Sequence, residues 1–159
     1  MLQKVGLGYD VHRFIKGKKL FLGGVEIPHG QGLEGHSDAD VVLHAICDAI
    51  LGALGKGDIG EHFPNTDMQY KDIASTELLR RVHQLVLREG FKINNIDTVL
   101  MAQEPNIKAF KQQMRGHIAK TLGLEQDRVN IKATTNEGLG FVGRREGLAA
   151  QATVLLAKK

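Results

Sequence analysis

Asp10 and His12 stand two residues apart, separated by Val11, at the end of the apolar-rich segment Val5–His12. In a strand, alternation sends Asp10 and His12 to one face and Val11 to the other. A third candidate, His44, lies in a stretch with helical apolar spacing, on one line with Asp40 and Asp48 at i−4 and i+4. Polar groups lined up on an otherwise apolar helix need partners, since each costs on the order of 1–3 kcal/mol when buried without one. A metal ion is one such partner. Three nitrogen and oxygen ligands with an open fourth position describe catalytic zinc, whereas structural zinc normally takes four protein ligands. A hydrogen-bonded core histidine beside helix-capping carboxylates is the alternative that the spacing leaves open.

Three further segments carry groups suited to a phosphorylated, hydroxyl-rich ligand. His36 and Ser37 precede the helix that bears His44, so an imidazole, a hydroxyl and helix-start amides could meet an oxyanion there. Ser37 is equally suited to plain N-capping, with Asp40 three residues later completing a capping-box-like start. Asp58-Ile59-Gly60 and Phe63-Pro64-Asn65-Thr66-Asp67 put short acceptors on a glycine-rich loop, able to grip polyol hydroxyls or simply to turn the chain. Thr134-Thr135-Asn136-Glu137 ends a strand, where hydroxyls and a carboxylate suit a phosphate and a hard cation; Glu137 favours magnesium or manganese.

Other motifs are less productive. Gly6-Leu7-Gly8 lacks the third glycine and following helix of a dinucleotide loop, and no Walker A pattern occurs. His29, His62, His83 and His117 have no ligand-like company and read as surface or core histidines. Cys47, the only cysteine, excludes an internal disulfide or thiolate cluster and reads as a buried, inert thiol. Any metal therefore falls to His, Asp and Glu.

The elements that must position these groups follow from periodicity. Val5–His12 and Leu20–Ile27 read as strands. Helices are expected over Asp38–Leu54, Ser75–Glu89 with Gly90 as stop, and Asn106–Leu122 with Asn106 as N-cap and Gly123 as stop. Gly55–Asn65 reads as loop. Ile96–Gln103, Val129–Thr135 and Ala149–Ala157 complete the strands, with a repeatedly bending segment at Gly138–Gly147. This order gives an α+β fold with helices on one face of a mixed sheet. Apolar residues on both parities of the strands call for a partner subunit on the other face.

With 159 residues the chain suits a single domain, 1–159, of ordinary globular composition. No apolar run approaches a membrane span and the amino terminus lacks a signal-peptide core, so a cytoplasmic protein is expected. A net charge of +3 admits anionic ligands, but the basic residues are scattered and aromatics are only 5%, which argues against a nucleic-acid groove and for small phosphorylated molecules.

Taken together, GYDVHRF, GHSDADVVLHAICDAILGALGKGDIGEHFPNTD, AQEPNIK and KATTNEGLGFVGRREG resemble the 2-C-methyl-D-erythritol 2,4-cyclodiphosphate synthase family of the non-mevalonate isoprenoid pathway, in order and spacing along the whole chain. The resemblance implies a homotrimer with sheets facing the trimer interior and active sites between neighbouring subunits. It implies a phosphorus–oxygen lyase that converts 4-diphosphocytidyl-2-C-methyl-D-erythritol 2-phosphate to the cyclic 2,4-diphosphate and CMP. By the same resemblance Asp10, His12 and His44 bind zinc, and Glu137 helps hold magnesium or manganese between the phosphates. His36 and Thr135 position and stabilise the reacting phosphates beside Ser37 and Thr134. Asp58, Ile59, Gly60, Phe63, Pro64, Asn65, Thr66 and Asp67 bind ribose and methylerythritol hydroxyls. Ala102, Gln103, Glu104, Pro105, Asn106, Ile107 and Lys108 form the cytosine pocket, and Phe141 and Arg144 lie near the phosphates or the trimer's central cavity. Two positions depart from the family pattern: Asn65 stands where an aspartate is expected, and Asn136 replaces a threonine. An amide can contact a hydroxyl but cannot act as a base. The rival readings are a metal-dependent nucleotide phosphohydrolase and a trimeric binding scaffold with a structural metal.

Overall fold

The computed structural model describes residues 1–159 and follows the expected α+β order, with several elements divided or extended. Strand β1 (Gln3–Ile15) runs beyond His12, and Leu20–Ile27 is a hairpin rather than one strand, formed by β2 (Leu20–Leu22) and β3 (Val25–Ile27). Gly23 and Gly24 supply the turn at φ 59° and 79°, a region that favours glycine. A short β4 (Gly32–Leu33) then pairs with the end of β1.

Helix α1 (Val41–Leu54) begins later than expected, because its N-cap is Asp40 and not Ser37. The Asp40 carboxylate accepts the Leu43 amide at 3.1 Å and also the amides of Gly23 and Gly24 at 3.0 and 2.7 Å, so one cap anchors the β2–β3 turn. The loop after α1 contains one helical turn, α2 (Ile59–His62), capped by Asp58. Helix α3 (Ser75–Arg88) matches expectation. Strand β5 (Phe91–Met101) starts five residues before the expected Ile96 and absorbs the Asn94-Asn95 pair as a bulge. Helix α4 (Lys111–Leu122) starts five residues after Asn106, whose side chain instead accepts the Lys108 amide in a local turn at 2.9 Å. Strand β6 (Val129–Thr134), a short α5 (Gly140–Gly143) and strand β7 (Gly147–Lys158) complete the chain.

The main sheet has the order β4-β1-β7-β5-β6, antiparallel except for the parallel β5–β6 pair. Its inner face is covered by α1 across β1 and β7, with α3 against β5 and α4 against β6. One core of 39 buried residues joins the sheet, the helices and the β2–β3 hairpin. The opposite face carries Val5, Leu7, Tyr9 and Val11 on β1, exposed by 68%, 67%, 47% and 43%, an apolar row without cover in the isolated chain.

Two glycines set how closely α1 lies on β1. A Cβ on Gly6 would meet the Ala49 carbonyl oxygen at 1.8 Å, and one on Gly8 would meet the Ala45 oxygen at 1.9 Å. Gly6-Leu7-Gly8 is thus a seat for a helix stripe of Ala45, Ala49 and Ala53, all buried. The same face of β1 continues to Asp10 and His12, and the same helix carries His44 one residue before Ala45.

Candidate active site

Asp10, His12 and His44 converge as the strand and helix periods require. The Asp10 Oδ2 lies 2.9 Å from His12 Nε2 and 3.0 Å from His44 Nδ1, and the two ring nitrogens are 3.3 Å apart. For zinc bonds of ~2.0–2.1 Å, the edge of a tetrahedron is about 3.3 Å, so the three atoms already approximate one face of such a site.

The outward nitrogens are occupied as well. His12 Nδ1–H donates to the Glu34 carbonyl at 2.7 Å, and His44 Nε2–H donates to the Ser75 hydroxyl at 2.8 Å, with Ser37 Oγ at 3.2 Å. With those outward protons in place, each imidazole can offer its inward nitrogen to a cation beside Asp10, the arrangement that metal-binding histidines normally have. Burial drives the Asp10 carboxyl upward and His12 downward, but their mutual hydrogen bonds and charges prevail, with His44 helping on Asp10; Asp10 is held low and His12 high. The donor set fits a divalent cation.

The polar line on α1 resolves into separate duties. Asp40 caps the helix, and Asp48 accepts the Ile59 amide at 2.8 Å, tying α2 to α1. Burial is the main force raising the Asp48 carboxyl. Only His44 of that line faces the donor set.

These three residues line one cleft of about 180 Å³ with Gly35, His36, Ser37, Ile59, Gly60, Phe63, Asn65, Tyr70, Ile73 and Leu78. His36 Nε2–H donates to the Asp67 carbonyl at 3.3 Å, and Lys18 Nζ donates to the carbonyls of Gly35 and Ser37, each at 3.3 Å, which holds the loop between β4 and α1. Asp58 and Asp67 spend their carboxylates on capping, toward Glu61 and Gln69. Pro64 and Thr66 flank Asn65 in the same loop but are not among the cleft-lining residues. Sequence reasoning missed Tyr70, Ile73 and Leu78 as apolar walls, and Glu34, Asp38 and Ser75 behind the histidines; the only signal for Ser75 was a hydroxyl opening an amphipathic helix.

The remaining expected residues form a second group. Ala102 N–H donates to the Thr134 carbonyl at 2.9 Å, and Gly138 N–H donates to Gln103 Oε1 at 3.2 Å, so the Ala102–Lys108 and Thr134–Glu137 segments pack side by side past the ends of β5 and β6. Glu104 lies between Arg145 at 3.3 Å and His29 at 3.5 Å; Pro105 follows a cis bond and Ile107 is buried. Thr135 Oγ1 accepts the Glu137 amide at 3.3 Å, and Asn136 carries the turn between them. Glu137 adopts φ 52°, an unusual conformation for a residue with a side chain and one that tends to gather at functional sites. Phe141 borders a shallow groove with Val11 and Arg13, and Arg144 pairs with Glu146 at 3.0 Å.

Val11, Ala149, Met101 and Thr134 are aligned across the sheet, so both groups occupy the same sheet edge. They are two and three strands apart, about 10 and 14 Å at the ~4.8 Å spacing of paired strands. The second group does not line the cleft around the donor set.

Comparison with known proteins agrees with this geometry. A sequence profile of the YgbB family matches residues 3–157. The 2-C-methyl-D-erythritol 2,4-cyclodiphosphate synthase of Syntrophomonas wolfei is 57% identical over 153 residues, covering 96% of this chain and 98% of that protein. The synthase of Geobacter sulfurreducens is 57% identical over 156 residues, covering 98% and 99%. Among solved structures, the bifunctional IspDF from Campylobacter jejuni superposes with a TM-score of 0.96 at 49% identity, over 99% of this chain and 43% of that one. The CDP complex of Plasmodium falciparum IspF gives 0.87 at 33% identity, over 99% and 97%. A profile match and high identity over almost every residue leave one conclusion: the chain belongs to the YgbB family, whose curated relatives matching it nearly end to end are named as 2-C-methyl-D-erythritol 2,4-cyclodiphosphate synthases.

Proposed function

We propose that this protein converts 4-diphosphocytidyl-2-C-methyl-D-erythritol 2-phosphate to 2-C-methyl-D-erythritol 2,4-cyclodiphosphate and CMP, as a cytoplasmic, single-domain homotrimer with active sites between subunits. The observation that carries the reading is the Asp10–His12–His44 donor set opening into a cleft with polar loops and apolar walls. The names of the relatives specify the product.

In the reaction an oxygen of the 2-phosphate forms a bond to the β-phosphorus, while the bond from that phosphorus to the α–β bridging oxygen breaks and CMP leaves. The nucleophile belongs to the substrate, so no side chain needs to attack or to activate water. Alignment is the protein's main task, and favourable intramolecular geometry can contribute roughly 7–11 kcal/mol. Asp10, His12 and His44 would hold zinc, and Glu137 would share magnesium or manganese with the substrate phosphates. When bound, the two cations supply positive charge that offsets phosphate repulsion and stabilises the leaving group. His36, Ser37, Thr134 and Thr135 hold phosphate oxygens. Ile59, Gly60 and Asn65 face the sugar directly, within the wider loop Asp58–Asp67. Phe63, Tyr70, Ile73 and Leu78 keep water from the β-phosphorus, where hydrolysis would compete.

The split between the two residue groups supports the trimer. The cleft is smaller than the ~300–1,000 Å³ of a pocket for a drug-sized ligand, and the nucleotide-binding segment lies two to three strands away. Within one chain the two groups do not form a common cleft. A neighbouring subunit on the exposed apolar sheet face would bring its own Ala102–Lys108 and Thr134–Glu137 to this cleft. A CDP-bound structure among the relatives supports a cytidine nucleotide as the moiety held there.

The test incubates the purified protein with the cytidine diphosphate substrate and divalent metal, and follows CMP and cyclic diphosphate. We expect cyclic product from the wild type and a loss on the order of 10²-fold or more in His44→Ala. A linear monophosphate would identify a phosphohydrolase instead, and undiminished turnover by His44→Ala would refute the metal reading.

A further inference from the structure

Behind His44 lies a chain of hydrogen bonds, buried at Ser75 and half-buried at Asp38, whose direction is fixed. Ser75 is the first residue of α3 and is fully buried. Its amide has no partner within the helix and donates to Asp38 Oδ2 at 3.0 Å, while its hydroxyl donates to Asp38 Oδ1. Asp38 is itself held in place: its amide donates to the Ile73 carbonyl at 3.3 Å, and its Oδ1 accepts the Asp40 amide at 3.1 Å. Ala39, at φ 57°, turns the chain so that Asp38 reaches α3 while Asp40 caps α1. A serine hydroxyl has one proton, and here the carboxylate takes it. Toward His44 Nε2, at 2.8 Å, Ser75 Oγ can then only accept.

That constraint settles the imidazole. With Nε2 bearing its proton, Nδ1 is the nitrogen left to bind a cation in the space shared with Asp10 and His12. Ser37 cannot impose the same state. Its Oγ accepts the Ala39 amide at 3.1 Å, but its own proton is uncommitted and is free to point at His44 Nε2, 3.2 Å away, which would force the tautomer unable to bind a cation through Nδ1.

Resting on the metal reading above, we propose that Ser75 and Asp38 are positioning residues of the metal centre, a carboxylate–serine relay that locks His44 in its metal-binding tautomer and orientation. The relay also joins the start of α3 to the segment before α1, alongside the bond from the Asp72 amide to the His36 carbonyl at 2.8 Å. The metal ligand and the cleft wall of Tyr70 and Ile73 are thereby fixed to the same support.

Zinc affinity of the full chain, measured by competition with a chromophoric chelator, tests the proposal, with urea unfolding of the metal-free proteins alongside. Ser75→Ala leaves Ser37 free to donate to Nε2. Asp38→Asn lets the new amide donate to Ser75, reversing the direction of the chain. Each should weaken zinc binding by about 10–100-fold, and the double variant should bind about as weakly as either single one, because one relay is broken in all three. Should Ser75→Ala not fold, Asp38→Asn decides alone. Wild-type zinc affinity in folded variants that have merely lost stability would overturn the relay, and so would independent, additive losses. A wild-type protein that takes up no zinc would instead refute the metal reading on which the relay rests.

Discussion

Replacing Gly8 by alanine asks how closely α1 must lie on β1 for the three donors to meet. The added Cβ would stand 1.9 Å from the Ala45 carbonyl oxygen, 2.7 Å from the Ala49 nitrogen and 2.9 Å from the Ala45 carbonyl carbon. All three atoms belong to helix backbone, so no side-chain rotation relieves the overlap. The helix must shift by on the order of 1 Å, and overpacking of this kind typically costs ~1–3 kcal/mol. His44 sits in the same turn, so its 3.0 Å contact with Asp10 opens by a similar amount. A misplacement of about 1 Å can cost ~10²-fold in rate. We therefore expect Gly8→Ala to lose about 3 kcal/mol in urea unfolding of the metal-free protein, and about tenfold or more in zinc affinity. Gly30→Ala is the control, since a Cβ there meets nothing within 4 Å and its φ is unexceptional. Equal stability and zinc affinity in the two variants would refute the close-approach argument.

Two further substitutions probe the capping carboxylate and the open sheet face. Burial, with Asp38 nearby, raises the Asp40 carboxyl to about 7 against the pull of its three amide donors. Because the folded value exceeds the unfolded ~3.9, the folded state binds more protons between them, so this contribution is complete below about pH 4 and is lost as pH rises through about 7. Asp40→Asn should flatten that part of the stability profile of the metal-free protein and cost ~1–3 kcal/mol at about pH 5, since its NH2 must face an amide donor; a profile parallel to wild type would contradict the assignment. Leu7→Arg places a charge in the middle of the apolar row on β1. Light scattering should then show monomers that retain zinc affinity and lack turnover, because all three metal donors come from one chain; an intact trimer would remove this row from the interface.

The candidate metal donors are the most legible part of the site. Asp10 and His12 obey a strand's period of two, and His44 stands out as a polar group in an apolar helix. The features that escaped notice depend on contacts between distant segments. Ser75 reaches Asp38 across 37 positions, and nothing near either residue announces the other. Gly6 and Gly8, which do not form a dinucleotide loop, have no visible role until the helix above them is known. Local ambiguity accounts for the rest. The apolar run Leu20–Ile27 conceals a Gly23-Gly24 turn that needs Asp40 to hold it, the strand expected from Ile96 starts earlier because a bulge at Asn94 is absorbed in it, and Asn106 uses its acceptor on Lys108 instead of capping a helix.

The arrangement divides labour by rigidity. The donor set stands on the second half of a thirteen-residue strand and the first turn of a buried helix, pressed together by glycine and alanine where larger side chains would separate them. Sites built on such elements hold their geometry more accurately than sites on loops. The residues proposed to hold sugar and nucleotide lie instead on the Asp58–Asp67, Ala102–Lys108 and Thr134–Glu137 segments, where backbone amides and short polar side chains can adapt to a ligand. Substitutions in the strand–helix seam should therefore impair metal binding and folding together, whereas substitutions at Asn65 or Thr135 should impair substrate binding and turnover in a protein that still folds and holds zinc. The departure at Asn65 falls on the adaptable side of that division. Asn65 lines the cleft, its amide can still hydrogen-bond a hydroxyl, and the proposed reaction, whose nucleophile is the substrate's own phosphate, does not require a base there.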